Sequence, residues 1–451
     1  MVIRQAHRLA VHLTPNEMNS KKVLIITYYW PPSGGSGVQR WLKFAKYLPQ
    51  FGWTPYVLTP ENPSFTIKDE SLVKDIPIGV TVTKLPIWEP YDLFFWFSGW
   101  LGKKEMKQSD FVPTGKKSPF QKLSTWIRGN FFIPDARVCW VKPASRFLET
   151  FIKNQDIQTV ITTGPPHSMH LIGLRLKKNN PWLKWIADFR DPWSEWDLLD
   201  ALSLSSGSRK KHKKLECQVL IAADKVITIA PYHVQRLESL SGRKVDLITN
   251  GFDEDDFRGI NKIKTARFTI RHVGIVDELR DPRPVMEALL ELCSADADFA
   301  GHVGVEFIGN VNSAFKEYVT SIPALNAFTS FVDYLPHQQL LRLYGETDLQ
   351  LLILAHTAIA PGNLPGKFFE YLASGNPILA LGPVQGDAGD VLRQTQAGEI
   401  FERSDKEGIK SGLITFYSNW KNRVEANQRN ITSLSRSNLT AKLVSILESK
   451  E

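Results

Sequence analysis

A chain of 451 residues that is 43% hydrophobic and 23% charged is long enough for two or three ordinary domains and too apolar to be disordered. Its 55 Lys and Arg against 47 Asp and Glu leave a formal charge of +8, which admits nucleic acid, an anionic membrane surface or anionic small substrates without choosing among them. The cysteines, Cys139, Cys217 and Cys293, are far apart, which excludes a disulfide framework and any CxxC metal site and fits a reducing cytosol, and no apolar run reaches the ~18–20 residues of a spanning helix.

Residues 1–17 lack the apolar core and small-residue cleavage site of a signal peptide, and Met18 stands just before the first strong strand; they are expected to be a disordered extension or an upstream start. From there, short runs rich in β-branched residues recur: VLIIT (23–27), PYVLT (55–59), TVITT (159–163), KWIAD (184–188), KVITI (225–229) and DLITN (246–250). Helical patterns lie between them, such as residues 38–51 with apolar Trp41, Leu42, Phe44, Ala45 and Leu48. After the polar stretch 253–267 the alternation restarts with TIRHVG (269–274), VEFIG (305–309), SFVDY (330–334), LQLLILA (349–355) and PILAL (377–381). Alternating strands and helices predict parallel sheets covered on both faces, here as two tandem α/β Rossmann-like units over 18–258 and 259–430. A C-terminal helix in 431–451 is expected to fold back across them.

Open α/β sheets bind ligands beyond the carboxyl ends of their strands, so the loops there carry the chemistry. In GNLPGKFFEYLASGNPILAL (362–381) a helix starts at Pro365-Gly366, carries Phe368, Tyr371 and Leu372 on one stripe, and stops at Gly375-Asn376-Pro377. Lys367 and Glu370 share a face of its first turn. Free amides at a helix start, with Lys367 beside them, suit a phosphate; Glu370 suits neutral vicinal hydroxyls such as those of a ribose. An exposed i,i+3 pair worth a few tenths of a kcal/mol is the alternative. In the first unit, Gly34-Gly35-Ser36-Gly37 follows a strand and precedes a helix, allowing close backbone approach to a ligand or only a tight turn. His167 follows TVITT and is expected to titrate near neutrality and exchange a proton with a hydroxyl, while Arg190 and Asp191, in DFRDPWSEW, are expected to orient an acceptor.

The segment PGKFFEYLASGNPILAL resembles the donor-site signature of GT-B glycosyltransferases of the retaining family-4-like group. YYWPPSGGSGVQRWLKFAKYLPQFGWTPYVLTP, ADKVITIAPYHVQRL, LITNGFDEDDF and FVDYLPHQQLLRLYGETDLQLLIL resemble other parts of it in the same order, so the likeness runs from about Lys21 to the 430s. It implies transfer of a sugar from a UDP- or GDP-like donor, gripped by the second unit, to a saccharide or lipid-linked saccharide presented by the first, with retention and with neither metal nor other cofactor. The donor residues it implies are Gly274, Arg280, Gly362, Asn363, Leu364, Lys367 and Glu370, with Gly35 across the cleft; Glu370 would hold the ribose, Lys367 and Arg280 the phosphates, and Arg283 competes with Arg280. Gly34, Gly37, His167, Arg190 and Asp191 would lie on the acceptor side, with His167, Lys367 and Arg280 as the catalytic set. The pattern often has a glutamate where this chain has Gly362; the backbone amides of Gly362 and Asn363 are the expected substitutes.

Asp281-Pro282 reads as N-cap and first helical residue, and Asp296-Ala297-Asp298 spells a metal-binding pair but reads as a helix end and loop. The aromatic and lysine-rich run 87–107, extended by 115–122 and SRKKHKK (208–214), predicts contact with an anionic membrane surface, with a buried insertion and solvated loops as the alternatives. A GT-B protein that only binds, a sugar-nucleotide epimerase and a nucleic-acid binder are the rival readings; no nucleic-acid reader fold is recognisable.

Overall fold

The computed structural model describes residues 21–65, 67–89, 119–263, 265–424 and 429–449. The β-branched runs form two sheets. The first contains β1 (Lys21–Ile26), β2 (Trp53–Pro60), β3 (Thr81–Leu85), β4 (Thr159–Gly164), β5 (Lys184–Phe189), β6 (Lys225–Thr228) and β7 (Asp246–Leu247). The second contains β8 (Phe268–Val273), β9 (Val303–Ile308), β10 (Thr329–Val332), β11 (Leu349–Ile353), β12 (Ile378–Leu381) and β13 (Gly398–Phe401). The strand orders are β3-β2-β1-β4-β5-β6-β7 and β10-β9-β8-β11-β12-β13, with every pairing parallel. Both are Rossmann-like: the order reverses between β1 and β4 and again between β8 and β11, and the loops leaving those strands flank each crevice. Central strands β4, β11 and β12 are buried along their whole length, as helices on both faces require.

Edges depart most from the sequence expectation. TVTKL and GEIF form β3 and β13, whose burial is partial and whose residues are half polar, so no continuous apolar run marks them. DLITN contributes only two strand residues before the chain turns into the connector. Asp296 is not in a plain loop: it caps the short helix Ala297–His302, accepting from the amides of Asp298 and Phe299, while Asp298 pairs with Lys421 at 2.5 Å. Pro282, rather than Asp281, stands at the N-cap of the helix Arg283–Ala295. The basic run 208–214 lies on the helix Ser206–Ala222, with His212 buried and its lysines exposed, not in a loop. Of the aromatic segment, residues 90–118 lie outside the described residues, as do 1–20.

The C-terminal helix Arg436–Glu448 places Leu439, Leu443 and Leu447 in the same core as Trp41 and Phe44 of the first lobe's helix Ser36–Tyr47 and Leu48 just beyond it. Lys184 Nζ donates to the carbonyls of Ile446, Leu447 and Ser449 (3.2, 2.7 and 2.6 Å), matching a cation to the end of the helix dipole. The chain therefore passes through the second lobe and finishes on the first.

Beneath the first crevice, Asp188 at the end of β5 is fully buried. It accepts from Arg40 Nε and Nη2 (3.1 and 3.0 Å), Trp41 Nε1 (2.8 Å) and Thr163 Oγ1 (2.9 Å), and Arg40 Nη1 donates to Thr249 O at 2.9 Å. Strands and helix meet on one carboxylate, and Arg40 carries the contact on to Thr249 after β7. Removing it strands a buried guanidinium, so Asp188→Ala is expected to cost about 3–5 kcal/mol in urea denaturation followed by tryptophan fluorescence, and the pair Arg40→Met with Asp188→Leu to cost less.

Candidate functional site

The helix Gly366–Ala373 begins after Pro365, whose extended backbone turns the chain out of the short helical turn Ala360–Gly362. Phe368, Phe369, Tyr371 and Leu372 are buried, which fixes the remaining face toward the crevice between β8 and β11. Lys367 crosses the end of β8: its Nζ donates to Val273 O at 2.6 Å and lies 3.5 Å from His272 Nε2. Gly274 makes this passage possible, since it has φ +134° and a Cβ there would sit 2.9 Å from Lys367 Nζ. Burial pushes the Lys367 ammonium down to about 7, Arg280 adding to the effect and Glu370 opposing it.

Glu370 is oriented from the helix His337–Gly345. Tyr344 Oη donates to Oε2 at 2.8 Å, and His337 Nε2 lies 3.3 Å from Oε1. Burial alone would raise this carboxyl, but the bonds from His337 and Tyr344, with the charge of Lys43, outweigh it and hold the group ionised below the usual range. Arg280 pairs with Asp277 at 2.8 Å and stays half-buried, close enough for its charge to act on Lys367. Arg283 pairs with Asp281 at 3.4 Å and lies over the Tyr318 ring, 5.3 Å from its centroid. The amides of Gly362 and Asn363 are already donated, each at 3.0 Å, to Ile359 O and Ala360 O, so they do not replace a missing carboxylate. Leu364 is buried, and its carbonyl accepts from Asn250 Nδ2 of the connector at 3.2 Å.

On the first lobe, Gly34 N donates to Ile67 O at 2.9 Å, and Gly35 carries φ +83° in open space at the start of the helix Ser36–Tyr47. Arg190 braces the loops: Nη1 donates to Gly37 O (3.1 Å), Nε to Gly164 O (3.3 Å) and Nη2 to Pro165 O. It thus holds the β1 and β4 loops together, with those three bonds going to backbone. Burial raises the carboxyl of neighbouring Asp191 despite the opposing charge of Arg190. His167 stands at the N-cap of the helix Ser168–Asn179, stacked on Trp193 at 5.2 Å and 6°. Neither ring nitrogen has a partner among the described residues. Burial, helped by His170, Arg190 and His212, holds its pKa well below the ordinary value, so it is a neutral ring and not the near-neutral titrating group expected from sequence. His170 is buried against Phe189 and bonded to Thr162 Oγ1 at 2.9 Å.

The lobes meet over these loops. Asp69 Oδ2 of the first lobe accepts from Tyr334 Oη (3.3 Å) and the amide of His337 (3.4 Å), and Lys43 Nζ bonds Asp253 (2.8 Å) and Asp256 (2.9 Å) in the connector. Asp256 in turn lies 4.0 Å from His337 Nε2. Lys367, Glu370 and Gly274 are thus brought together at the second crevice with Arg280 at its edge, while Gly34, Gly35, Gly37, His167 and Arg190 surround the first. Sequence reasoning missed Tyr344 and His337, which the i,i+7 spacing on one helix face could have found, and Asp69, whose Oδ2 partners lie in the other lobe.

No family model and no curated protein matches this chain. Solved structures do. A glycosyltransferase from Rickettsia africae ESF-5 superposes with TM-score 0.60 at 14% identity, over 96% of this chain and 100% of that one. Sucrose-phosphate synthase from Thermosynechococcus elongatus gives 0.60 at 11%, over 95% and 98%. WaaG, a glycosyltransferase involved in lipopolysaccharide biosynthesis, gives 0.54 at 12%, over 95% and 100%. Identities this low speak for architecture alone. With two Rossmann-like sheets apposed across their switch-point loops, the chain has the GT-B glycosyltransferase fold.

Proposed function

We propose that this protein is a glycosyltransferase that moves a sugar from a UDP- or GDP-linked donor to a saccharide or lipid-linked saccharide in cell-surface polysaccharide or glycolipid synthesis. The observation that carries the reading is the buried pair on one helix turn: a lysine beside a helix start that no side chain caps, and an ionised carboxylate oriented by Tyr344 and His337. The lysine and amides meet the diphosphate; the carboxylate accepts from the ribose hydroxyls.

In the reaction the bond from the anomeric carbon to the diphosphate oxygen breaks, the acceptor oxygen bonds to that carbon on the same face, and the acceptor proton passes to the departing diphosphate. Charge grows on the leaving group, and Lys367 with Arg280 and the helix start supply fixed positive potential there, a role that needs no metal. Neutral His167, stacked on Trp193, meets a sugar hydroxyl as a hydrogen-bonding partner and not as a base. Arg190 acts on the acceptor side chiefly by fixing the loops, with Asp191 beside it.

A lipid-linked acceptor is supported by a surface of the first lobe. The helix Pro119–Phe131 exposes Leu123, Trp126, Ile127 and Phe131 on one side, and Asn130 Oδ1 accepts from Ser208 Oγ (2.7 Å), which seats the helix beside the basic run 209–214. Apolar wedges next to lysines suit the inner face of an anionic membrane.

Thermal-shift measurement against UDP-, GDP-, ADP- and CMP-sugars should show stabilisation by one nucleotide class, and Glu370→Ala should weaken that binding by about 10–100-fold. Lys367→Ala should lower turnover by on the order of 10²-fold. Because the free ammonium titrates near 7 and a bound diphosphate raises it, binding should take up a proton near neutrality, and affinity should fall as pH rises through about 7. Calorimetry in two buffers of different ionisation enthalpy reads that uptake. Leu123→Glu with Ile127→Glu should abolish co-sedimentation with phosphatidylglycerol vesicles and leave the nucleotide-dependent shift unchanged.

A further inference from the structure

Position 362 is where the family-like pattern often has a carboxylate, and the space for one is taken. A Cβ on Gly362 would lie 2.7 Å from both Cδ2 and Nε2 of His233 and 2.9 Å from Cδ1 of Tyr232. The obstacle is steric, since Gly362 is not among the glycines with positive φ. The obstructing ring comes from the opposite lobe, on the helix Pro231–Ser241 that follows β6. His233 is only 2% exposed, and neither of its ring nitrogens has a hydrogen-bond partner among the described residues. Buried polar groups are nearly always paired, and one that is not calls for an explanation, of which a ligand group brought against it is one.

We propose that His233 replaces the missing carboxylate, offering its ring nitrogens to a hydroxyl of the donor sugar from across the lobe boundary. This deepens the nucleotide-sugar reading and rests on it. Burial holds the imidazole down to about 4, so it is neutral at physiological pH, with one nitrogen donating and the other accepting. A sugar hydroxyl both donates and accepts, whereas a carboxylate at this place would only accept. The geometry around the ring is held from both lobes: Tyr232 N donates to Asp387 Oδ2 at 3.0 Å, and Asn250 Nδ2 donates to Leu364 O at 3.2 Å. Sugar recognition is thereby tied to apposition of the lobes, because the first lobe contributes part of the second lobe's site.

The test compares His233→Leu, which fills the space without a polar atom, with His233→Gln, which keeps one near the place of Nε2. Affinities are measured for UDP-glucose, GDP-mannose, UDP and GDP, with circular dichroism melts to confirm folding. His233→Leu should lose about ten-fold in affinity for the nucleotide sugar while binding the bare nucleoside diphosphate as the wild type does; His233→Gln should stay within about three-fold. Gly362→Glu should bind poorly through its clash, and adding His233→Ala should restore binding of the nucleotide sugar. A His233→Leu protein that binds the nucleotide sugar normally, or loses sugar nucleotide and bare nucleotide alike, overturns the assignment. Wild-type protein that binds none of the four removes the proposed function itself, and the role of His233 with it.

Discussion

One ammonium group registers the lobes. Lys43, on the first helix of the first lobe, sits between Asp253 and Asp256 of the connector, and Asp253 also takes Tyr47 Oη at 2.5 Å and Lys46 at 2.7 Å. Burial would lower the lysine, yet the two aspartates raise it, so it stays charged. Asp256 reaches His337, and His337 reaches Glu370. A carboxylate on the helix Gly366–Ala373 is thus oriented by a chain of charges that begins in the other lobe. Each member is buried far enough that loss of a neighbour leaves an expensive unpaired group, which makes the arrangement specific whether or not it adds net stability.

The same economy of partners explains how two opposite charges sit one turn apart without neutralising each other. Lys367 is spent partly on Val273 O, and Glu370 on Tyr344 and His337, so each is held in place by something other than its neighbour one turn away. Lys367 is driven toward its neutral form by burial, while Glu370 is kept ionised by donated hydrogen bonds. The turn therefore holds a lysine poised to gain positive charge beside a carboxylate that is already ionised.

Much of this was legible in the sequence because the signals were local. The β-branched runs gave the central strands, and Pro365-Gly366 with Gly375-Asn376 bracketed the helix that carries Lys367 and Glu370. What escaped detection was long-range. β3 and β13 are edges without a continuous apolar run, Asp69 contacts residues some 265 positions away, and the neutral state of His167 follows from stacking on Trp193 and burial that no local pattern encodes. The amides of Gly362 and Asn363 looked free in sequence; a single helical turn had already used them.

Two glycines near the second lobe's crevice show how differently one residue type can shape its surroundings. Gly274 is required by its backbone, whose positive φ turns the chain at the end of β8, and the missing side chain then admits Lys367. Gly362 has ordinary backbone geometry, and its smallness admits a ring from the opposite lobe instead. In the first case the absent side chain makes room for a neighbour within the same lobe; in the second it lets the two lobes interlock. Glycine at 362 leaves no empty space behind it, because the volume a side chain would need is filled, and filled by a group whose ring nitrogens have no partner among the described residues.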